Sequence, residues 1–161
     1  MVSKILTPQD TLIVPKYVHL FNKVIDEISP FYTSKTIQEA KVLYTQEYIV
    51  NHLNSPSEIR FIGHFSDQNL DGLLIERFDK LDGNRTTINW VLAGEKGLGI
   101  GSELILDCIS RAKNENKDNV TLVVAVENTL ARKLYRKLGF ISGGVYTSKN
   151  KDSLELMGYV F

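Results

Sequence analysis

The residues Lys96-Gly97-Leu98-Gly99-Ile100-Gly101 close one apolar run and open an amphipathic helix. Backbone N–H groups converge there at the positive end of a helix dipole, an arrangement that cradles phosphate. Glycine at 97, 99 and 101 lets backbone approach an anion with no Cβ in the way, and Ser102 continues the first helical turn. Lys96 adds a point charge that can meet a phosphate without the planar fork of arginine. Two nucleotide loops do not fit. A Walker loop needs Lys-Ser/Thr after its last glycine, and Gly94 to Gly99 is followed by Ile100-Gly101. A dinucleotide fingerprint needs Gly-x-Gly-x-x-Gly early in a parallel βαβ unit, whereas Gly-x-Gly-x-Gly here follows a meander. The plainer alternative is a glycine-rich turn that lets strand and helix pack.

A second apolar run, Val120 to Val126, leads into Asn128, Ala131, Tyr135 and then Leu138-Gly139-Phe140. Asn128 by itself reads as a helix N-cap. Tyr135 follows nearly two helical turns later, so it shares a face with Asn128 and Ala131. Alone it would be core packing with a hydrogen-bonded hydroxyl. In this order the two motifs resemble the acetyl-coenzyme A site of the GNAT superfamily of N-acetyltransferases. That family pattern is Arg/Gln-x-x-Gly-x-Gly/Ala, then Asn-x-x-Ala-x-x-x-Tyr ahead of Leu-Gly-Phe, and Lys96 stands where the family has Arg or Gln. The resemblance runs from Ile59 to the C-terminus and is weak before it.

The resemblance implies a site for acetyl-coenzyme A as co-substrate, without metal. Lys96, Gly97, Leu98, Gly99, Ile100, Gly101 and Ser102 would hold its phosphates. Asn128, with Ala131 on the same face, would tie the splayed strand end to the pantetheine arm. Backbone N–H near Val91, Leu92 and Ala93 would polarise the thioester carbonyl. Tyr135 would act catalytically, its hydroxyl beside the sulfur; a phenol with a pKa near 10 stays protonated at neutral pH and can hand the leaving thiolate a proton. The implied reaction is acetyl transfer to a primary amine by direct attack in a ternary complex. The rival is a non-catalytic acyl-coenzyme A sensor or interaction module.

Amine chemistry needs a neutral nitrogen, and a lysine-like amine with a pKa near 10.4 arrives protonated. Many family members carry a Glu on the strand before the phosphate loop, but Thr86-Thr87-Ile88-Asn89-Trp90-Val91-Leu92 has no carboxylate. Asn89 or Thr87 could hold a relay water, and Glu76 could be the base, although a solvated surface charge is the expected role of Glu76. Cys108 lies on an apolar helix stripe and is expected to be a buried small hydrophobe. Trp90, between Ile88 and Leu92 on one strand face, is expected in the core.

The elements that must position these residues follow from periodicity. Tyr17, Val18, Phe21, Val24, Ile25 and Ile28 recur at helical spacing until Ser29-Pro30. A second helix starts at a capping box of Thr36 and Glu39, carries Ile37, Ala40, Tyr44 and Tyr48 on one face, and ends at Ser55-Pro56. Met1 to Leu6 and Thr11 to Val14 compete as an opening strand. Strand periodicity then predicts Ile59 to Phe65, Gly72 to Phe78 and Thr86 to Leu92 as an antiparallel meander, with turns at Asp67-Gln68-Asn69 and Asp82-Gly83-Asn84. A helix with Ile100, Leu104, Ile105, Cys108, Ile109 and Ala112 inward, strand Val120 to Val126, a helix from Thr129 to Leu138 and strands Gly144 to Ser148 and Leu154 to Phe161 complete the chain. This order predicts an α/β fold of GNAT type, a mixed and mostly antiparallel sheet of about six to seven strands flanked by helices on both faces.

The chain has 161 residues and shows neither a repeat nor a linker, so one domain over 1–161 is expected. With 43% hydrophobic and 24% charged residues, the composition is that of a folded globular chain. Lys plus Arg and Asp plus Glu each number 19, which leaves no positive excess for nucleic acid. The lone Cys108 excludes an internal disulfide, and neither a signal-type run nor a span of about 20 apolar residues is seen. A cytoplasmic protein acting on a small-molecule, protein or peptide amine, away from membranes, is the expectation. A homodimer stays open. The histidines at 19, 52 and 64 have no Cys neighbour or His-x-x-x-His spacing, which argues against zinc.

Overall fold

The structure is a computed structural model that describes every residue except Met1, Lys80 and Asp82. Strand β1 (Val2–Ile5) takes the first of the two candidate opening stretches, while Thr11 to Val14 runs into helix α1 (Val14–Ile28). Met1, the start of that stretch, and Asp82, in one expected turn, lie outside the described residues. Helix α1 buries Tyr17, Phe21, Val24 and Ile25 on one face, as their spacing predicts.

The expected single second helix is two, α2 (Ser34–Leu43) and α3 (Gln46–His52). The cap of α2 is Thr33, whose hydroxyl oxygen accepts from the Thr36 N–H at 3.4 Å, and Thr45 caps α3 by accepting from the Tyr48 N–H at 3.2 Å. A threonine that satisfies the next helix's free N–H groups restarts the chain direction there, which splits one apolar stripe between two helices. Ile37, Ala40 and Tyr44 still reach the same core, with Tyr48 packed against it.

The meander is β2 (Ile59–Ser66), β3 (Asn69–Phe78) and β4 (Arg85–Ala93), followed by α4 (Ile100–Asn114), β5 (Asn119–Ala125), α5 (Thr129–Lys137), β6 (Ile141–Thr147) and β7 (Ser153–Val160). These strands form one seven-stranded sheet in the order β1-β2-β3-β4-β5-β7-β6. The β4–β5 pair is parallel and the other five pairs are antiparallel. Alternate residues feed opposite faces. Phe61, Leu73 and Ile75 pack under α1, α2 and α3, while Ile62, Leu74 and Val120 pack under α4 and α5.

Two irregularities shape the centre of the sheet. Opposite β3, Ile75 pairs with Trp90 but Glu76 pairs with Ile88, so Asn89 is an extra residue in β4. A bulge of one residue reverses the facing of everything beyond it. Ile88 therefore packs with α4 and α5, and Trp90 and Leu92 pack with α1, which corrects the expectation that all three share a face. Register between β4 and β5 also ends at Ile88↔Leu122, so their C-terminal halves part.

The second irregularity leaves Asp71 as an extra residue in β3, between the pairs His64↔Gly72 and Phe65↔Leu70. The buried His64 holds Asp71 through Nδ1 at 2.5 Å and Glu103, in the first turn of α4, through Nε2 at 2.9 Å. Burial opposes charge on this ring, but the two carboxylates outweigh it and raise its pKa above 6.5. A raised folded-state value means that the cluster's contribution to stability is complete below the unfolded value and is lost as pH rises through the folded one. The denaturation midpoint is therefore expected to fall as pH climbs from about 6.5 through the raised His64 value, and this drop is expected to vanish in His64→Gln. Urea melts of both proteins across that range check it; parallel curves would contradict it.

Candidate functional site

Parting of β4 from β5 opens a cavity of about 610 Å³. Its wall takes Val91, Leu92 and Ala93 from β4, and Leu122, Val123 and Val124 from β5. Such a gap leaves backbone N–H and C=O groups without sheet partners, groups that seek a ligand or a side chain. The Tyr32 side chain reaches this cavity from the turn between α1 and α2.

The glycine loop forms one end of this cavity. Gly97 and Gly99 both take φ near +81°, a left-handed conformation that is strained for other residues. Gly99 is the N-cap of α4 and offers no side chain, and the helix's first hydrogen bond here is Glu103 N–H to Gly99 O at 3.0 Å. The N–H groups of Ile100, Gly101 and Ser102 therefore stay free at the positive end of the dipole. A Cβ added at Gly97, Gly99 or Gly101 would meet nothing within 4 Å, so these positions border open space. Lys96, Gly97, Gly99, Ile100, Gly101 and Ser102 all line the cavity. Leu98 does not: the turns at Gly97 and Gly99 leave its side chain 59% exposed.

Helix α5 supplies the facing wall. Asn128 caps it by accepting from the Ala131 N–H at 3.3 Å, as its residue type predicts, and Asn128, Ala131 and Tyr135 all reach the cavity. The Tyr135 ring packs near Phe140 with centroids 6.0 Å apart. Burial, and then the neighbouring Tyr32, push its hydroxyl well above the ordinary phenol range, so it holds its proton at neutral pH. Helix α5 is anchored by Arg132 and Arg136, which both bind the buried Glu155 of β7.

Several wall residues were not foreseen. Phe31, Tyr32 and Thr36 come from the turn between α1 and α2 and the start of α2, and Leu154 from β7. No short motif marks them, because they meet only when distant segments pack. Trp90 both lines the cavity and packs against the core, edge-on to Phe21 at 6.0 Å and Tyr32 at 5.9 Å.

Glu76 is neither a solvated surface charge nor a lining residue. Its side chain is 1% exposed and is bound by Arg111, with Arg60 at 3.5 Å. Arg111 projects from α4, so this carboxylate pins that helix to β3 instead of facing the cavity. Asn89 reaches the cavity and donates through Nδ2 to the Tyr44 hydroxyl at 3.2 Å, while Thr87 sits against Thr121, their hydroxyl oxygens 3.3 Å apart. Cys108 is fully buried, and burial pushes its thiol pKa up. Native protein is therefore expected to leave Cys108 unmodified by a disulfide reagent that titrates one thiol in denaturant; rapid native labelling would place it at the surface.

Comparison with known proteins agrees with this geometry. The sequence profile described as "Acetyltransferase (GNAT) family" matches residues 21–140. No curated sequence matches the chain. Among solved structures, a GNAT-family acetyltransferase from Streptococcus pneumoniae superposes with a TM-score of 0.79 at 22% identity, covering 99% of this chain and 98% of that one. PaiA N-acetyltransferase from Thermoplasma acidophilum, in complex with coenzyme A, gives 0.72 at 19% identity and covers 100% of both chains. A ribosomal-protein-alanine N-acetyltransferase from Brucella melitensis gives 0.75 at 14%, again over 100% of both. At such identities the structural likeness is one of fold, and the profile match over most of the chain carries the assignment. The chain belongs to the GNAT acetyltransferase family.

Proposed function

We propose that this protein, as one domain over residues 1–161, transfers the acetyl group of acetyl-coenzyme A to a primary amine within a ternary complex. One observation carries the reading: the glycine loop, the parted strands and the Asn128–Tyr135 face border a single cavity. A pyrophosphate fits the free N–H groups of Ile100, Gly101 and Ser102, where the open space at the glycines matches the bulk of an anion. Lys96 neutralises part of its charge. Along Val91, Leu92 and Ala93 strand β4 pairs with β3 on one side, and its other edge, parted from β5, suits the amide groups of a pantetheine arm, which would act as a third strand in the gap.

The amine nitrogen would bond to the acetyl carbon, and the carbon–sulfur bond would break. Tyr135 would donate its hydroxyl proton to the departing thiolate and be restored by the proton the nitrogen sheds, and its raised pKa means that it starts in the protonated form. Backbone N–H of β4 would bear the charge on the carbonyl oxygen. The bulk of the rate would come from holding nitrogen and thioester together. Among the described residues no helix is long and apolar enough to cross a membrane.

Tyr135→Phe is expected to lower kcat by about 10²-fold, the scale of a lost proton donor, with acetyl-coenzyme A affinity nearly unchanged. Steady-state rates and calorimetric titration check this; equal loss of both would make Tyr135 structural. Gly101→Asp is expected to keep the fold, since an aspartate suits the first turn of a helix, yet to abolish binding by setting a carboxylate among the phosphates. Unchanged affinity would misplace the phosphate site.

A further inference from the structure

The half of the cavity that the acetyl donor leaves over is mainly apolar and aromatic. With the loop, β5 and α5 faces assigned to the donor, the remaining wall holds Val24, Ile28, Phe31, Tyr32, Trp90 and Leu154, with Thr36 and Asn89 as its uncharged polar members. We propose that the acceptor is a monocationic primary amine carried on an aromatic or apolar body, an arylalkylamine, and that a polycation is not accepted. This rests on the transfer reading above and deepens it.

Three observations support this class. First, Tyr32 and Trp90 meet edge to face at an interplanar angle of 64°, with Phe21 closing the back of Trp90 at 89°. A third ring entering this corner finds the offset and edge-on geometries that aromatic pairs favour. Second, the corner leads to the reacting end of the site. Tyr32 and Trp90 border the same cavity as Tyr135, and Tyr32 lies near enough to act on the Tyr135 hydroxyl, so an amine on a short linker from the ring would arrive next to Tyr135.

Third, the charges are wrong for a polycation. Among the described residues the charged side chains on the wall are Glu95 and Lys96, neighbours in the phosphate loop. The other carboxylate near this end is Asp152, buried behind Thr36, and its oxygens are already used. They accept from the Thr33 N–H at 2.6 Å, the Ser148 hydroxyl at 3.2 Å and the Thr36 hydroxyl. A second or third ammonium entering the apolar end of the cavity would lose its water with no carboxylate nearer than Glu95 in the phosphate loop among the lining residues. The same apolar wall favours an uncharged amine, whose proton has gone to solvent before binding, and this accords with a β4 strand that carries no carboxylate.

The test is a set of initial rates at saturating acetyl-coenzyme A with 2-phenylethylamine and tryptamine against 2-aminoethanol, spermidine and kanamycin. The expected result is a kcat/KM for the aryl amines at least about tenfold above the other three, the scale of burying a ring in an apolar pocket. Equal or faster turnover of spermidine, kanamycin or 2-aminoethanol overturns the proposal and leaves acetyl transfer standing. Titration of the protein with coenzyme A, and of the coenzyme A complex with 2-phenylethylamine, separates the two ideas. Binding of coenzyme A with neither binding nor turnover of the aryl amines also overturns the proposal, whereas failure of coenzyme A to bind overturns the transfer reading beneath it. Trp90→Ala is expected to raise KM for 2-phenylethylamine about tenfold and to change that for 2-aminoethanol little. Phe31→Ala, at a partly exposed turn, gives the same readout if the Trp90 variant fails to fold.

Discussion

Everything in the site depends on one break in the sheet's hydrogen bonding. Strands β4 and β5 keep parallel register as far as Ile88 and Leu122 and then separate, at the residue where the Asn89 bulge sits. A sheet does not give up ladder bonds freely, because each buried backbone group left alone costs about 1–3 kcal/mol. Here the gap left by the lost ladder bonds is the cavity itself. The bulge adds direction: it turns Trp90 and Leu92 toward α1 while Ile88 stays under α4. One inserted residue therefore sends the end of β4 into both cores.

Holding strands apart requires the flanking helices to be fixed, and buried carboxylates do this on the α4 and α5 side. Glu76 on β3 binds Arg111 of α4, and Glu155 on β7 binds Arg132 and Arg136 of α5. Burial works against the charge on Glu155, but its two arginines prevail and hold its carboxyl below the usual range. Such pairs contribute little net stability compared with apolar packing, yet removing one partner strands a charge. Their role is to set where each helix lies on the sheet. His64 adds a third tie, joining β2, the β3 bulge and the first turn of α4 behind the glycine loop.

Local rules make most of the fold legible in the amino-acid sequence. Periodicity located α1, the meander, α4, β5, α5 and the last two strands to within a few residues, and residue type alone identified the Asn128 cap. The glycine loop and the α5 face of the cavity are legible for the same reason: both are short-range patterns. What failed was non-local. A bulge has no composition of its own, so the facing of Ile88 against Trp90 could not be read from alternation. Glu76 looks like any charged strand residue until Arg111, a whole helix away, folds onto it. Thr36 carries the pattern of a cap, but its hydroxyl goes to Asp152 and Thr33 takes the capping place. Phe31 and Tyr32 lie in the part of the chain where the resemblance was weak.

The cavity wall also divides by chain position. One side is drawn from a continuous stretch between Ile88 and Tyr135, the other from Val24 to Thr36 together with Leu154. The second side is braced by the β6–β7 turn, where Asp152 holds Thr33 and Thr36, and Asn150 donates to Glu39 at 2.8 Å. Mutations in these two chain regions can therefore accumulate on separate evolutionary clocks. Drift in the α1–α2 turn or in the hairpin tip reshapes one side of the cavity and leaves the glycine loop's sequence unchanged, so descendants of this chain can vary that wall while inheriting the loop intact.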